Sequence, residues 1–391
     1  MAVSGAPVLF LATWYPNRWD PWLGIFIERH ALALSNHRPV LCLYVMPAPV
    51  AEVEYHVQSK GALTSLNVYY PAVQSRIPVY SSVLKLCKRI RYTVGGYRSI
   101  CKTAGISKPG STVLQVIGPM AWLGIYLRLI QGVPLYWFEH WNGYLAQDGR
   151  YRGLFLKCTG FVLSRVHSGL AAVSGLLADA LRKHGLGDQI EVIPNIVDDG
   201  FYAQSVIDQK VEKPFRLAHI SNYVSNKQAD KILDAVLILM SERDDFVFEF
   251  VGRDLPGKLV LKARVGELPS FSERIRFVPV MAAEAMPAYM RGLTGLVMYS
   301  AWETQCVVVL EAWASGIPVI CTSDMGVWEH AHAGNSIVAD ADHVDSLVAA
   351  IRSLLDERSR FDAQVISEDG LAYQSGRIGA ALESWLIKGG L

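Results

Sequence analysis

The sequence predicts an α/β protein made of two domains. Three observations carry this prediction: apolar runs of strand length alternate with helical periodicity, glycine- and proline-bearing turns separate them, and the chain has 391 residues. Because one hydrophobic core seldom serves so long a chain, two domains of about 200 residues are expected. Polar and charged residues displace the apolar runs near 205–213, which places the predicted boundary between residues 1–204 and 205–370.

The first domain is predicted from six apolar runs and three periodic segments. The runs are too short for buried helices and are bounded by Gly, Pro or polar turns, so they predict strands at Val8–Thr13, Pro39–Val45, Thr112–Ile117, Pro134–Glu139, Leu170–Val173 and Gln189–Ile193. Apolar residues at helical spacing predict helices at Ile25–Leu34, Met120–Gln131 and from a Ser174 cap to about Lys183.

The second domain repeats this alternation. Strands are predicted at Phe215–Ile220, Phe246–Val251, Ile275–Val278, Thr294–Ser300, Gly316–Thr322 and Ser336–Ala339. Helices are predicted at about Ala229–Met240, Glu284–Arg291, Val307–Ala314 and Asp345–Leu355, the third closed by Gly316 and Pro318.

Composition excludes several classes of protein. Hydrophobic residues make up 51% of the chain and the mean hydropathy is +0.23, but no run of eighteen uncharged apolar residues occurs, so no transmembrane helix is predicted. Met1–Pro7 lacks the basic region of a signal peptide. The six cysteines are scattered without a C-x-x-C pair, as expected of reduced thiols. Together these features predict a cytoplasmic protein.

One segment departs from the balanced overall charge. Arg76–Lys108 carries eight basic residues and no acidic one, interleaved with apolar side chains, whereas the chain as a whole has a net charge of +1. Such a bias implies an anionic partner for this region. We expect an acceptor or the anionic inner face of the cell membrane, with an ordinary basic helix pair as the alternative. No recognition motif for nucleic acid accompanies the charge.

The stretch around residues 299–320 contains the main candidate residues of a binding site. Glu303 lies at a strand-to-helix turn and Glu311 lies eight residues later, inside the helix. Ligands of open α/β sheets bind at such turns, and the backbone N–H groups at the helix start attract anions. We therefore predict an anion beside the N–H groups of Thr304, Gln305, Cys306 and Val307. The two carboxylates would accept hydrogen bonds from sugar hydroxyls that flank it.

The pattern E-x7-E followed by A-W-A-S-G-I-P-V-I resembles the signature of retaining GT-B glycosyltransferases, glycosyltransferase family 4 in particular. The opening W-Y-P with P-x-x-G-I-F-I-E-R-H-A, the stretch E-H-W-x-G-Y and the string P-N-I-V-D resemble further parts of that family. The resemblance implies two Rossmann-like, doubly wound parallel-sheet domains facing each other across a cleft. It also implies that the last helix, at about 371–391, packs back onto the first domain.

The same resemblance implies roles for single residues. Glu311 would hold the ribose of the donor, Glu303 the hydroxyls of the transferred sugar, and Lys227 the diphosphate. Asn222 stands in this donor site where the family has an arginine, so half of the expected positive charge is missing. In the first half, Gly24 would lie near the phosphates and His140 would approach the transferred sugar.

The resemblance implies a donor that is a UDP- or GDP-linked sugar, with no cofactor and no obligatory metal. A D-x-D pattern, which metal-dependent transferases use, occurs at Asp340–Asp342, but acidic residues are common at a helix start.

The predicted function is that of a retaining, metal-independent hexosyltransferase. It would move a sugar to a glycan or lipid-linked acceptor in polysaccharide or cell-surface glycan biosynthesis. Two alternatives stay open: a nucleotide-sugar epimerase or hydrolase on the same fold, and a catalytically silent nucleotide-sugar-binding scaffold subunit.

Overall fold

The computed structural model describes residues 5–73, 78–202 and 213–390. The chain divides into two compact units, unit one (Met1–Ile196 with Ser375–Leu391) and unit two (Val197–Gln374). The predicted boundary at 204/205 falls among residues 203–212, outside the described residues, and the division lies eight residues earlier. The reason is that Val197 pairs with Gln374, and Phe201 packs in the core of unit two.

Unit one is built on an eight-stranded sheet. Its strands are β1 (Val8–Ala12), β2 (Val40–Ala48), β3 (Glu54–Lys60), β4 (Leu63–Pro71), β5 (Ser111–Gln115), β6 (Leu135–Glu139), β7 (Gly169–Ala172) and β8 (Ile190–Val192). They lie in the order β3-β4-β2-β1-β5-β6-β7-β8. Only the β3–β4 pair is antiparallel among these neighbours.

The helices of unit one are α1 (Ile25–Ser35), α2 (Pro78–Thr103), α3 (Ala121–Gln131), α4 (Leu154–Val166), α5 (Gly175–Lys183) and, from the end of the chain, α12 (Ser375–Lys388). The predicted final helix begins four residues later than expected, because Leu371–Tyr373 forms a separate 3-10 turn. α12 packs on α1, where Gly379 is needed because a Cβ there would lie 2.7 Å from the Ala33 carbonyl oxygen. Tyr136 also donates to the Leu386 carbonyl oxygen at 2.5 Å.

Unit two is built on a six-stranded parallel sheet. Its strands are β9 (Phe215–Ile220), β10 (Phe246–Val251), β11 (Ile275–Val278), β12 (Gly295–Val297), β13 (Val319–Thr322) and β14 (Ser336–Ala339). Its helices are α6 (Ala229–Glu242), α7 (Pro256–Gly266), α8 (Met286–Arg291), α9 (Val307–Ala314), α10 (Val344–Asp356) and α11 (Ala363–Gly370). The strand order is β11-β10-β9-β12-β13-β14, the doubly wound Rossmann order. The predicted α/β class with two parallel-sheet units is confirmed.

Local sequence explains why these elements form where they do. All six residues of β10 are buried, as expected for a parallel strand covered on both faces. α5 begins where Ser174 Oγ accepts from the Leu177 N–H at 3.2 Å. α9 ends in a Schellman motif, in which Ile317 N donates to Ala312 O and Gly316 adopts a φ of +72°. The predicted stop signal at Gly316 therefore acts through its backbone conformation.

Among the described residues, no helix combines the length and the apolar character that crossing a membrane requires.

Candidate functional site

Two loops of unit two lie where the order of its strands reverses. From β9 the chain moves outward to β11 and then returns to β12, on the other side of β9. Open α/β sheets bind their ligands at this switch point, in the crevice beyond the carboxyl ends of the strands. The loop after β9 carries Lys227, and the loop after β12 carries Glu303. Two predicted site residues thus meet at the edge that the topology favours.

Lys227 is held by a rigid loop between β9 and α6. The loop contains a 3-10 turn at Ser225–Lys227, and Gln228 follows it with a φ of +46°. Its first residues are fixed by His219, whose ring contacts Val297 O at 2.9 Å and Ser221 Oγ at 2.7 Å. Burial lowers the pKa of His219 to about 4, so this histidine is a neutral bridge between two strands.

Asn226 joins this loop to the loop after β12. Its carbonyl oxygen accepts from Ala301 N at 2.7 Å, and its Nδ2 donates to Trp302 O at 3.0 Å and to Glu303 Oε1 at 3.3 Å. Glu303 is fixed from the other side as well, since its N–H donates to Asp324 O and its carbonyl oxygen accepts from Gly326 N. Asn226 and the loop after β13 are positioning elements that the sequence did not reveal.

Lys227 Nζ and Glu303 Oε1 form an ion pair, and each side chain is only 14% exposed. Burial alone would lower the pKa of Lys227, but the charge of Glu303, aided by Cys306, raises the pKa above its ordinary value. The lysine therefore stays protonated at neutral pH. In this structure its charge is directed at a carboxylate, and the pair combines one cation with one acceptor at the switch point.

The start of α9 differs in part from the expectation. The helix begins at Val307, and Cys306 caps it with a φ of +69°, so Thr304 and Gln305 belong to the preceding loop. The left-handed turn at Cys306 redirects the chain, so only Val307 of the four predicted N–H groups lies in the first helical turn. Burial raises the pKa of the Cys306 thiol to about 11, so the thiol is not a nucleophile at neutral pH.

Glu311 lies one turn into α9 with 9% of its surface exposed. It follows the Cys306 cap by five residues. After burial, the charges of Glu303 and Glu311 both contribute to the raised pKa of Cys306, and the charge of Lys227 opposes them.

Asn222 is exposed in the loop after β9 and adds no charge to this group. The D-x-D segment is engaged elsewhere: Asp342 pairs with Lys231, and the Asp340 carbonyl oxygen accepts from Tyr299. Within the described part of the chain, no three His, Cys, Asp or Glu side chains form a group that could hold a metal ion.

His140 lies in unit one, just beyond the end of β6. Its Nε2 contacts Gln115 Oε1 at 2.9 Å, and its ring stacks near Phe26 and Phe138, with centroids 4.7 and 4.4 Å away. Burial, with the neighbouring His30, lowers the pKa of His140 well below its ordinary value. A neutral imidazole can exchange hydrogen bonds with a hydroxyl, but it cannot act as a cation.

The aromatic residues near His140 are divided between His140 and the preceding Glu139. Side chains alternate along a strand, so Trp137 and Glu139 share one face of β6 and Phe138 the other. Trp137 and Tyr144 donate to Glu139 at 2.7 and 3.1 Å, and His140 is enclosed by the rings named above.

Gly24 caps α1 with a φ of +65°. A Cβ at this position would lie 2.5 Å from the Trp14 carbonyl carbon. The backbone conformation and the contact with Trp14 account for the glycine without a ligand. Its predicted place beside the donor phosphates stays a prediction.

Comparisons with known proteins agree with this architecture. Residues 214–357 match the family described as "Glycosyl transferases group 1". A segment of 157 residues is 31% identical to the lipopolysaccharide core biosynthesis mannosyltransferase LpsB of Rhizobium meliloti (strain 1021). This segment covers 38% of the chain and 43% of that relative, so the chain matches less than half of its length.

Two solved structures extend the likeness to nearly the whole chain. Sucrose-phosphate synthase (tll1590) from Thermosynechococcus elongatus superposes with a TM-score of 0.73 at 13% identity, covering 98% of this chain and 99% of the other. Anabaena Alr3699/HepE, in complex with UDP and glucose, superposes with a TM-score of 0.70 at 16% identity, covering 98% and 100%. At such identities the likeness establishes the fold alone.

Proposed function

Given that the chain has the GT-B fold and carries a glycosyl transferases group 1 domain at residues 214–357, we propose that it is a retaining hexosyltransferase. Its donor is a UDP- or GDP-linked sugar, and its acceptor is a glycan or a lipid-linked glycan of a cell-surface polysaccharide. The observation that carries the proposal is the Lys227–Glu303 pair at the switch point of unit two, with Glu311 nearby on α9.

The three side chains divide the donor between them. Glu311 accepts two hydrogen bonds from the ribose diol, and charge-assisted bonds of this kind are strong. Lys227 and the first N–H groups of α9 meet the diphosphate. Glu303 holds hydroxyls of the transferred sugar. Two of the compared proteins support a nucleotide-sugar donor and a glycan product, since HepE was solved with UDP and glucose and LpsB is a mannosyltransferase of lipopolysaccharide core biosynthesis.

The reaction requires no covalent intermediate. The bond from the anomeric carbon to the diphosphate oxygen breaks, and a bond from that carbon to the acceptor oxygen forms on the same face of the sugar. The acceptor proton passes to the departing diphosphate. Negative charge grows on the diphosphate, and fixed cationic donors beside it lower the barrier. The neutral His140 is suited to exchange hydrogen bonds with a sugar hydroxyl, and this role stays a prediction.

Arg253 supplies the positive charge that Asn222 lacks. Strands β9 and β10 pair in parallel with Ile220 opposite Val251, and Ser221 N continues the ladder to Val251 O at 3.2 Å. Gly252 approaches Ser221 O so closely that a Cβ would clash. Asn222 lies two residues beyond the end of β9, and Arg253 lies two residues beyond the end of β10, so an arginine is present in the neighbouring loop at the same edge of the sheet.

This assignment predicts a rescue experiment. Arg253→Ala is expected to lower kcat for sugar transfer at least tenfold, because one cation beside the leaving group is lost. Adding Asn222→Arg to that variant is expected to restore most of the loss, since it returns the charge to the neighbouring position. Arg264→Ala, at an exposed site on α7, serves as control. An Arg253→Ala enzyme with wild-type kcat would contradict the assignment.

The donor site itself is tested by nucleotide binding. Glu311→Ala is expected to weaken binding of the nucleotide at least tenfold in isothermal titration, because the ribose loses its charged acceptor. Glu303→Gln is the matched comparison: it keeps a carbonyl acceptor, so transfer slows while nucleotide binding is largely retained. Equal nucleotide affinity in Glu311→Ala and the parent would show that Glu311 does not bind the nucleotide.

A silent nucleotide-sugar-binding scaffold remains the second candidate, because Asn222 replaces the arginine of the family pattern. Turnover with donor and acceptor separates the possibilities. A transferred sugar supports the proposal, free sugar or an epimer indicates a hydrolase or epimerase, and binding without product indicates the scaffold.

A further inference from the structure

Three helices of unit one carry only positive charge. α2 contains six Lys and Arg residues, α3 one and α4 two, and none of the three contains Asp or Glu. The whole chain has nearly equal numbers of basic and acidic residues, 37 and 36, so three helices with basic residues and no acidic ones are a marked local excess of positive charge. The predicted basic segment Arg76–Lys108 includes α2, although Arg76 itself lies outside the described residues. The structure thus extends that basic surface from one segment to three helices.

The same helices expose large apolar side chains. Nine of these are at least 42% exposed: Leu86, Ile90, Trp122, Tyr126, Leu129, Ile130, Leu154, Phe155 and Phe161. Exposed apolar residues scattered singly need no explanation, but a concentration of them on adjoining elements marks an interaction surface. Because basic residues accompany them, the surface suits a partner that is both apolar and anionic.

A groove of about 410 Å³ lies between α2 and α3, with Phe155 of α4 at its side. Residues of α2 at helical spacing form one wall: Leu86, Arg89, Ile90, Thr93, Val94, Tyr97 and Arg98. Trp122 and Tyr126 of α3 form the other, and the Trp122 ring lies 6.4 Å from that of Phe155. The groove is therefore mostly apolar, with two arginines along one side.

We propose that this face of unit one docks on a membrane leaflet rich in anionic phospholipid, with one acyl chain in the groove. Charge complementarity and exposed apolar side chains together favour this docking. Lys and Arg are attracted to anionic headgroups, and aromatic and aliphatic side chains enter the boundary between headgroups and acyl chains. The groove has the volume of a small-ligand pocket and the apolar lining that a hydrocarbon chain requires. This docking rests on the proposed function in one respect, because it would bring the enzyme to a lipid-linked acceptor. Binding to lipid itself needs no sugar donor, so it is tested independently of sugar transfer.

Flotation of the full chain with lipid vesicles tests the proposal. We expect binding to vesicles of phosphatidylglycerol and phosphatidylcholine, little binding to phosphatidylcholine alone, and weaker binding at high salt. Each basic residue near the surface is worth roughly fivefold in the partition coefficient. Arg98→Glu with Lys102→Glu is therefore expected to lower it more than tenfold. Lys183→Glu, an exposed lysine of α5 in the same unit, is the control.

The groove is tested separately. Ile90→Ser with Trp122→Ser is expected to lower the partition coefficient more than tenfold while the charge is unchanged, and Val260→Ser, exposed on α7, is the control. Thermal melts of each variant report whether it folds, and the exposed sites make folding the expected result. Equal binding to neutral and anionic vesicles, or equal losses in test and control variants, would overturn the proposal. Binding that survives Ile90→Ser with Trp122→Ser would show that no acyl chain occupies the groove.

Discussion

Lys227→Ala is expected to lower kcat for sugar transfer by a factor of about 10²–10³, which corresponds to about 2.7–4 kcal/mol of barrier. The reason is the position of the charge. Lys227 Nζ is enclosed at the switch point, and its only acidic partner among the described contacts is Glu303. Under the proposed function, a protonated lysine beside the departing diphosphate stabilises the negative charge that develops there. Steady-state kinetics with saturating donor and acceptor give the measurement.

Two variants separate this catalytic effect from a structural one. Lys231→Ala removes a lysine only four residues away, whose partner Asp342 is exposed, and kcat should stay near that of the parent. Lys227→Arg keeps the charge and should recover part of the rate. Loss of Lys227 also leaves Glu303 without its cation, so melting temperatures are compared. If Lys227→Ala turns over at the parental rate and melts normally, the lysine does not act on the leaving group.

The ion pair has a consequence for donor binding. In the structure Glu303 is paired with the lysine that, under the proposed function, binds the diphosphate, so a bound donor would share Lys227 with the carboxylate or displace it. Glu303 would then become available to sugar hydroxyls as the lysine turns to the phosphates. Such an exchange would join the two roles that the sequence suggested separately.

The sequence predicted the elements of unit two closely. Phe215–Ile220, Phe246–Val251 and Val307–Ala314 match the predicted bounds. The reason is that parallel strands covered on both faces are continuous apolar runs, and the stop at Gly316 is a local signal. Such elements carry their information in a few adjacent residues.

Unit one was predicted less completely. Strand β3 is almost entirely exposed, so its sequence EYHVQSK lacks an apolar run, and its pairing with β4 could not be read from either segment. Helix α2 was seen only as a basic region. The exposed apolar residues of this helix blur the amphipathic pattern by which helices are recognised.

The site could be predicted only as single residues. Glu303, Glu311 and Lys227 were identified from spacing and resemblance. The hydrogen bond of Asn226 to Trp302 joins residues 76 positions apart, and that of His219 to Val297 joins residues 78 positions apart. Contacts of this kind depend on strand order, which a single sequence does not state. That Arg253 follows the strand next to the one that Asn222 follows likewise required the strand order of unit two.

Glu139→Gln is expected to change how the stability of unit one depends on pH. Glu139 is fully buried, and its Oε1 accepts from Ile117 N at 2.6 Å, from Trp137 Nε1 at 2.7 Å and from Tyr144 OH at 3.1 Å. Burial raises the pKa of this carboxyl from 4.5 to about 7, although the donors oppose the rise. Glutamine keeps an acceptor in the same place but cannot titrate.

The sign follows from proton uptake. Between pH 4.5 and 7 the folded protein holds a proton on Glu139 that the unfolded chain has released, so the stability is greatest below pH 4.5 and is lost as pH rises to about 7. The free energy of unfolding of the parent, relative to that of Glu139→Gln, should therefore fall by about 3 kcal/mol across this range. Urea unfolding at several pH values gives the difference in free energy of unfolding between the two proteins. The contributions of the other carboxylates are the same in both and cancel. Glu191→Gln, which changes an exposed carboxylate of the same unit, should leave the pH dependence of the free energy of unfolding unchanged. If the free energy of unfolding of Glu139→Gln runs parallel to that of the parent, Glu139 is ionised in the folded protein across this pH range.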